Sequence, residues 1–444
     1  MVKIAFIGAG SLSFARNLIT DILSYPSLQD SKLSLMDIDE SRLEQSAASA
    51  EATVEEHDLP ATIEATTDRR QALDGADYVI TAIHVGGAEP FRNEVEIPQE
   101  YGVNQSVGDT LGPGGVFRAL RTIPTMVDIA RDMEELCPDA PLLQHTNPMA
   151  MVCWAVEEAT SIDTYGICHS VQGTASRIAD YVDVPYEELD YWVAGINHMA
   201  WYLELEHGGE DLYPALESAM DDDEVYAEDV VRFEVMDHFG KFITESSHHL
   251  SEYLPYFRTD EAHIDSLVER SNYDPNPDSF EYSPVCWLPT GKYFERWNAR
   301  DPAARFDPED ADTSLDRSEE YAARLIHSME TGENRRMNLN VPNDGALITN
   351  LADDALVEVP CLVDGTGVHP CSVGALPPQL AALNRSNVDV QRLGVRAALD
   401  GDERALRQAV KLDPLTAAVC SLDEVDSMVD DLLAANDEFL PDLD

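Results

Sequence analysis

The sequence predicts an α/β fold, with an open and mostly parallel sheet in its first half and an appended α+β domain behind it. Three observations carry that prediction. Short apolar runs such as "KIAFI", "KLSLM" and "DYVIT" alternate with stretches of helical spacing, as expected of strands buried on both faces and helices crossing between them. The first run ends in "GAG" and opens directly into a helix. The chain of 444 residues is too long for one ordinary core, so two domains sharing an interface are expected, 1–190 and 191–444.

Taken in order, "KIAFIGAG" reads as a strand and a glycine turn. "SLSFARNLITDILSYP" follows as a helix with apolar positions at Leu12, Ala15, Leu18, Ile19 and Leu23. "KLSLMDIDESRLEQSAASA" supplies a second strand, an acidic end and a second helix. This unit suits a dinucleotide pyrophosphate, which makes the first domain Rossmann-type. Gly8 permits the tight turn, Gly10 lets the backbone approach the phosphates, and Ser11 opens the helix whose N-terminus attracts their charge. Asp37 closes the second strand, where it can accept hydrogen bonds from ribose hydroxyls, which favours NAD over NADP. Ser13 stands where the fingerprint has its third glycine.

The alternation continues. "GADYVITAIHVGG" is a strand entering a glycine loop, and "APLLQHTNPMAMVCWAV" a strand, a turn and a helix. Asn147 lies at that strand's C-terminal end, where open α/β sheets place ligands. "GDTLGPGGVFRALRTIP" is a glycine-rich loop opening a helix, which Asp109 or Thr110 could cap. Beyond residue 190 the pattern loosens. "DHFGKFITESSHHLSEYLPYF" suggests a helix then a loop, "ALITNL" and "ALVEVPCLVD" suggest strands, and "PPQLAAL" begins amphipathic helices. "RSNYDPNPDSFEYSPVCWLPTG" is a turn-rich excursion, expected to form a lid or an oligomer contact.

Charge excludes several classes of function. There are 84 acidic against 29 basic side chains, a net −55, and only five of the bases are lysines. Such a surface repels itself at low ionic strength and is screened in concentrated salt. It resembles proteins of salt-in halophiles, and it disfavours nucleic acid and anionic membranes as partners. No apolar run reaches the length of a membrane span. The N-terminus enters a strand without the features of a secretory leader. Seven scattered cysteines lack paired spacing and fit a reducing, cytoplasmic setting.

"GICHSVQGT" and "GINHMAW" each set a histidine in apolar sequence, the first beside a cysteine. On residue types alone, His198 reads as a buried core histidine. With "FIGAGS", "MDID", "GDTLGPGG", "TNP", "ESSHHLSEYLPYF" and "NDGALITNL", however, they resemble glycoside hydrolase family 4 along nearly the whole chain. The resemblance implies a fold related to lactate and malate dehydrogenases, NAD and a divalent metal as cofactors, and a small-molecule glycoside as substrate. It also implies a homo-oligomer, dimer or tetramer. "CHSV" and "VEVPCLVDGTG" are similar to the family's α-galactosidases; α-galacturonidase and α-glucosidase are the alternatives within it. A 2-hydroxy-acid dehydrogenase is the rival from another enzyme class.

Residue roles follow from the same resemblance. Cys168 and His198 match the ligands of Mn²⁺. Tyr253 matches the base that removes the sugar C2 proton, with Tyr256 as the alternative, and Asp109 matches an aspartate that adjusts it. His169 stands where phosphosugar-acting members carry an acid aspartate. Asn147 and Arg92 match substrate-binding positions. The implied reaction departs from the two-carboxylate scheme of most glycosidases. Hydride leaves C3, the C2 proton is removed, the aglycone departs from C1, water adds, and hydride returns. His248, His249 and Glu252 read instead as a polar wall or capping group.

Overall fold

A computed structural model describes residues 1–272, 313–318 and 320–444. The excursion beginning at residue 270 therefore lies almost wholly outside the described residues. The strands are β1 (Lys3–Ile7), β2 (Lys32–Met36), β3 (Thr62–Thr66), β4 (Tyr78–Thr81), β5 (Leu142–Gln144), β6 (Thr164–Gly166), β7 (Leu189–Ile196), β8 (Met199–His207), β9 (Glu210–Asp211), β10 (Arg335–Pro342), β11 (Leu356–Asp364) and β12 (Gly367–Pro370). They form one sheet in the order β3-β2-β1-β4-β5-β6-β10-β11-β7-β8-β9, with β12 on β11. The six strands from β3 to β6 run parallel. Their order is that of a doubly wound dinucleotide fold. The remaining pairings are antiparallel.

Burial explains the parallel half. β1, β2 and β4 are Ile-, Leu- and Val-rich and buried along nearly their whole length. β3, a half-exposed edge strand, carries Thr and Glu instead. Helices α1 (Leu12–Leu23) and α2 (Glu40–Glu56) turn apolar stripes onto this sheet. Ser13 is exposed, so close helix–sheet packing does not require a glycine there. The sheet runs on through the expected division near residue 190, because β7 begins at Leu189 and joins β11.

Three local features aim side chains at one place. A long helix, Gly112–Leu136, starts so close to the preceding loop that a Cβ on Gly115 would lie 2.4 Å from the Thr110 carbonyl carbon. That approach holds Asp109 and Thr110 at the helix entrance. The hairpin β7–β8 pairs Ile196 with Met199, leaving Asn197 and His198 as its two-residue turn. Asn384, in the helix Pro378–Asp400, clamps the turn: its amide donates to Met199 O (2.8 Å), and its oxygen accepts from Trp201 Nε1 (3.0 Å).

One expected strand is absent. "ALITNL" forms a loop braced by Asn343, whose side chain bonds Ile348 N, Ile348 O and Ala352 O. Gly345 and Ala346 there have positive φ, which a strand excludes. The strand lies just before it, at β10.

Candidate active site and metal centre

The glycine turn after β1 is a backbone cradle. Gly8 has φ +97°, and a Cβ there would lie 2.2 Å from Ala82 O. The N–H groups of Gly8 and Ala9 donate to Met36 O, both at 2.9 Å. Asp37 ties the turn to the end of β2, accepting from Gly10 N (2.7 Å) and Asp39 N (2.9 Å). Ser11 is the N-cap of α1, and its side chain makes no capping bond. Positive φ, missing Cβ atoms and an open helix start suit a dinucleotide pyrophosphate.

The second cluster joins two buried side chains and a partly buried one from distant segments. Cys168 follows β6, His198 is the hairpin turn, and Glu245 sits in the loop after the helix Val230–Phe239. Their ligand atoms lie within 4.8 Å of one another, and no other such group of three occurs among the described residues. Thiolate, imidazole and carboxylate together suit a divalent first-row ion and leave positions open for substrate oxygens. His198 (φ +63°) and Glu245 (φ +72°) are two of only five non-glycine residues with positive φ among the described residues. Such strain concentrates where geometry serves a site. Burial lowers the pKa of His198, keeping the neutral imidazole a ligand needs, and raises that of Cys168.

Tyr253 stands against this cluster. Its side chain is fully buried, and its Oη lies 3.0 Å from His198 Nδ1. His198 Nε2 faces Glu245 Oε2 at 3.5 Å. Burial first, then the charges of Glu252, Glu245 and Asp109, push the Tyr253 phenol well above its usual range. Asp109 receives a hydrogen bond from Asn147 Nδ2 (3.0 Å) and lies 3.2 Å from His249 Nε2. Burial raises Asp109, but His249, Arg118 and Asn147 outweigh it and hold the carboxylate ionised. Thr110 links the groups, donating to Asp109 Oδ1 (2.8 Å) with its Oγ1 3.4 Å from His198 Nδ1.

His169 occupies the rim. Its side chain is more than half exposed, with Nδ1 3.3 Å from Glu320 Oε1. The Glu320 contact raises its pKa, favouring the protonated form. Asn147 joins the cluster through Asp109, and its carbonyl accepts from Arg118 Nε (3.1 Å). Arg92 lies on the helix that follows the glycine loop after β4. That side chain is nearly half exposed on the helix Ala88–Glu100, 3.8 Å from Glu96. Arg118 is the arginine beside Asn147. The exposed Tyr256 is likewise unlike the buried Tyr253.

Sequence reasoning passed over Glu245 and Arg118 and read His249 as part of a polar wall or cap; all three stand at the candidate site. Glu245 precedes "SSHH" in an irregular loop with no periodicity to mark it. His249 touches three carboxylates: Asp109, Glu245 (3.5 Å) and Glu252 (3.3 Å). They overcome its burial and raise its pKa. Glu252 itself caps a loop, accepting from the N–H groups of Ser106 (2.6 Å), Val107 (2.8 Å) and Gly108 (3.1 Å).

Fold and site together define a dinucleotide-fold protein with a buried, metal-competent centre beside a tyrosine. A family model described as "Family 4 glycosyl hydrolase" matches residues 3–184, and one for that family's C-terminal domain matches residues 193–416. The chain belongs to the family 4 glycosyl hydrolases. It is 42% identical to an α-galactosidase of Bacillus subtilis (strain 168), over 100% of both chains. A 6-phospho-α-glucosidase from gut microorganisms, solved in complex with NAD and Mn²⁺, superposes with a TM-score of 0.78 at 21% identity over 100% of both chains. Malate dehydrogenase of Plasmodium falciparum superposes with a TM-score of 0.52 at 15% identity, covering 90% of this chain and 99% of that one. This chain is thus a glycoside hydrolase on a dehydrogenase-like fold. No helix among the described residues is long and apolar enough to cross a membrane.

Proposed function

We propose that the protein is an α-galactosidase requiring NAD⁺ and a divalent metal, Mn²⁺ or a similar ion. The observation that carries this reading is Tyr253 Oη at 3.0 Å from His198, whose other nitrogen faces Glu245. A buried tyrosine on a metal-competent histidine suits removal of a carbon-bound proton better than a two-carboxylate displacement. Similarity to an α-galactosidase at 42% identity supports the sugar preference.

Bound in the glycine cradle, NAD⁺ would supply a reversible hydride acceptor, and a divalent ion on Cys168, His198 and Glu245 would supply Lewis acidity that favours loss of a carbon-bound proton. The chain's own residues do the rest. Gly8, Gly10, Ser11 and Asp37 hold the dinucleotide. Cys168, His198 and Glu245 hold the ion. His198 Nδ1, 3.0 Å from Tyr253 Oη, would in its Nδ1-protonated tautomer donate to that oxygen and favour the phenolate that acts as base. Tyr253 then removes the C2 proton. Asn147, fixed by Asp109, orients sugar hydroxyls. Protonated His169, exposed at the rim, delivers a proton to the departing C1 oxygen. The enzyme works in the cytoplasm as a dimer or tetramer, an assembly that light scattering would measure.

The test is hydrolysis of nitrophenyl α-galactoside, α-glucoside and α-galacturonide in concentrated KCl with NAD⁺, Mn²⁺ and reductant, each omitted in turn. The α-galactoside should turn over only with both cofactors and without accumulating NADH. Full activity in protein stripped of NAD, verified by mass spectrometry, would overturn the mechanism. Stoichiometric NADH would instead point to a dehydrogenase.

A further inference from the structure

Glu358 has no evident structural reason to be where it is. It lies in β11, opposite Gly195 of β7 on one side and Asn340 of β10 on the other, and Asn340 in turn faces Gly166 of β6. Cys168 comes just after Gly166, and His198 just after Gly195. Residues paired across a ladder share a face, so the two glycines leave Asn340 and Glu358 side by side on one surface of the sheet. Glu358 is fully buried, and neither carboxyl oxygen has a hydrogen-bond partner. Asn340 Oδ1 and both amide atoms of Asn197, beside His198, are buried and unpartnered too. After burial, the charges acting on Glu358 are those of Cys168, His198 and Glu245. A central strand position favours Val or Ile, and an unpartnered buried carboxyl destabilises the fold.

We propose that Glu358 is the outer carboxylate of the divalent-cation site, a positioning residue that raises cation affinity from behind Cys168 and His198. It stands outside the set of Cys168, His198 and Glu245, whose ligand atoms lie within 4.8 Å of one another. A cation in that set converts an unfavourable buried carboxyl into a favourable one. The coupling is reciprocal: what the ion does for Glu358, Glu358 does for the ion. With no hydrogen bond to a ligand, Glu358 acts through space by its charge, in an interior where water screens it poorly.

The proposal rests on the cation reading of the three-residue set, and one titration separates the two. Mn²⁺ is added to NAD⁺-loaded protein and the free ion is read by electron paramagnetic resonance. Glu358→Gln keeps the shape and removes the charge, and Glu358→Met removes the polar atoms as well, should the amide fold poorly. Both should bind Mn²⁺ about 10- to 100-fold more weakly than wild type, as expected for losing one poorly screened charge near a divalent ion. In EDTA their melting temperatures should equal or exceed the wild-type value, while the rise produced by saturating Mn²⁺ shrinks. Unchanged or tighter Mn²⁺ binding, or failure of both variants to fold, makes Glu358 a structural carboxyl and overturns the proposal. Wild-type protein that binds no Mn²⁺ overturns the cation reading, and this inference with it.

Discussion

Gly8, Gly10 and Asp37 meet inside a single βαβ unit, and what they offer is mostly backbone: a positive φ, a missing Cβ, an N–H held by one carboxylate. Cys168, His198, Glu245 and Tyr253 come from four separate segments, and what they offer is side-chain chemistry in a buried space. The cradle binds through features that local sequence dictates, so it tolerates any surroundings that keep one turn intact. The cluster exists only once a strand end, a hairpin turn, an irregular loop and the turn after a short helix have been brought together. Disturbing the cluster should therefore remove chemistry and spare NAD⁺ binding. Disturbing the cradle should do the reverse.

The largest effect is expected at Tyr253. Tyr253→Phe deletes only the oxygen that lies 3.0 Å from His198 Nδ1. Turnover should fall by about 10²- to 10⁴-fold, the usual range for a lost general base. Wild-type product formed in D₂O should carry deuterium at C2, while calorimetry shows unchanged NAD⁺ binding in the variant. An unimpaired Phe variant with C2 exchange intact would move the role to another residue, Tyr256 being the first to test.

Cys168→Ser comes next. Replacing a thiolate by a hydroxyl weakens a borderline-metal site, and activity should drop by about 10²- to 10³-fold at limiting Mn²⁺. NAD⁺ affinity should stay within error of wild type. If turnover at limiting metal is unchanged, Cys168 is a structural thiol and the cluster is not a metal site.

These two variants also mark what the sequence made legible. The parallel half could be read because β1, β2 and β4 are short continuous apolar runs, and because Gly8, Gly10 and Asp37 fall at fixed offsets within one unit. The proposed metal pair was legible only through resemblance, since nothing local to "CHSV" or "NHMAW" says that a hairpin will carry His198 to Cys168. Glu245 escaped altogether: its left-handed backbone in an irregular loop follows from tertiary packing, and a lone Glu before two serines has no period. β10 escaped because its first half, Arg335 to Asn338, is mostly polar, whereas "ALITNL" looks like a strand and is bent into a loop by Asn343.

A smaller effect should separate the two regions from the other side. In Gly10→Ala the new methyl would lie 2.7 Å from Asp37 Oδ2 and displace that carboxylate from the Gly10 N–H. That bond to a charged group contributes about 1.5–3 kcal/mol to the turn's own geometry, and a cradle loosened by part of that amount should bind NAD⁺ about tenfold more weakly. Mn²⁺ affinity should not change. A variant that lost both ligands together would show that cradle and cluster are one cooperative unit.

The smallest effect distinguishes the regions by sign. A net charge of −55 surrounds both sites with a negative potential that reaches about 30 Å at 0.01 M salt and about 10 Å at 0.1 M. Mn²⁺ is drawn into that field, whereas NAD⁺, with its anionic diphosphate, is repelled by it. Raising KCl from 0.01 to 0.1 M at constant pH should therefore weaken Mn²⁺ binding and strengthen NAD⁺ binding, each by a factor of a few. The melting temperature should climb over the same range as the surface stops repelling itself. Isothermal titrations of the two ligands, run on one protein stock at matched ionic strengths, read both slopes directly. Slopes of the same sign would mean that local contacts, and not the field of the whole molecule, govern how salt acts at these sites. A melting temperature indifferent to KCl would remove the halophile-like reading of the surface while leaving the chemistry of Tyr253 and Cys168 untouched.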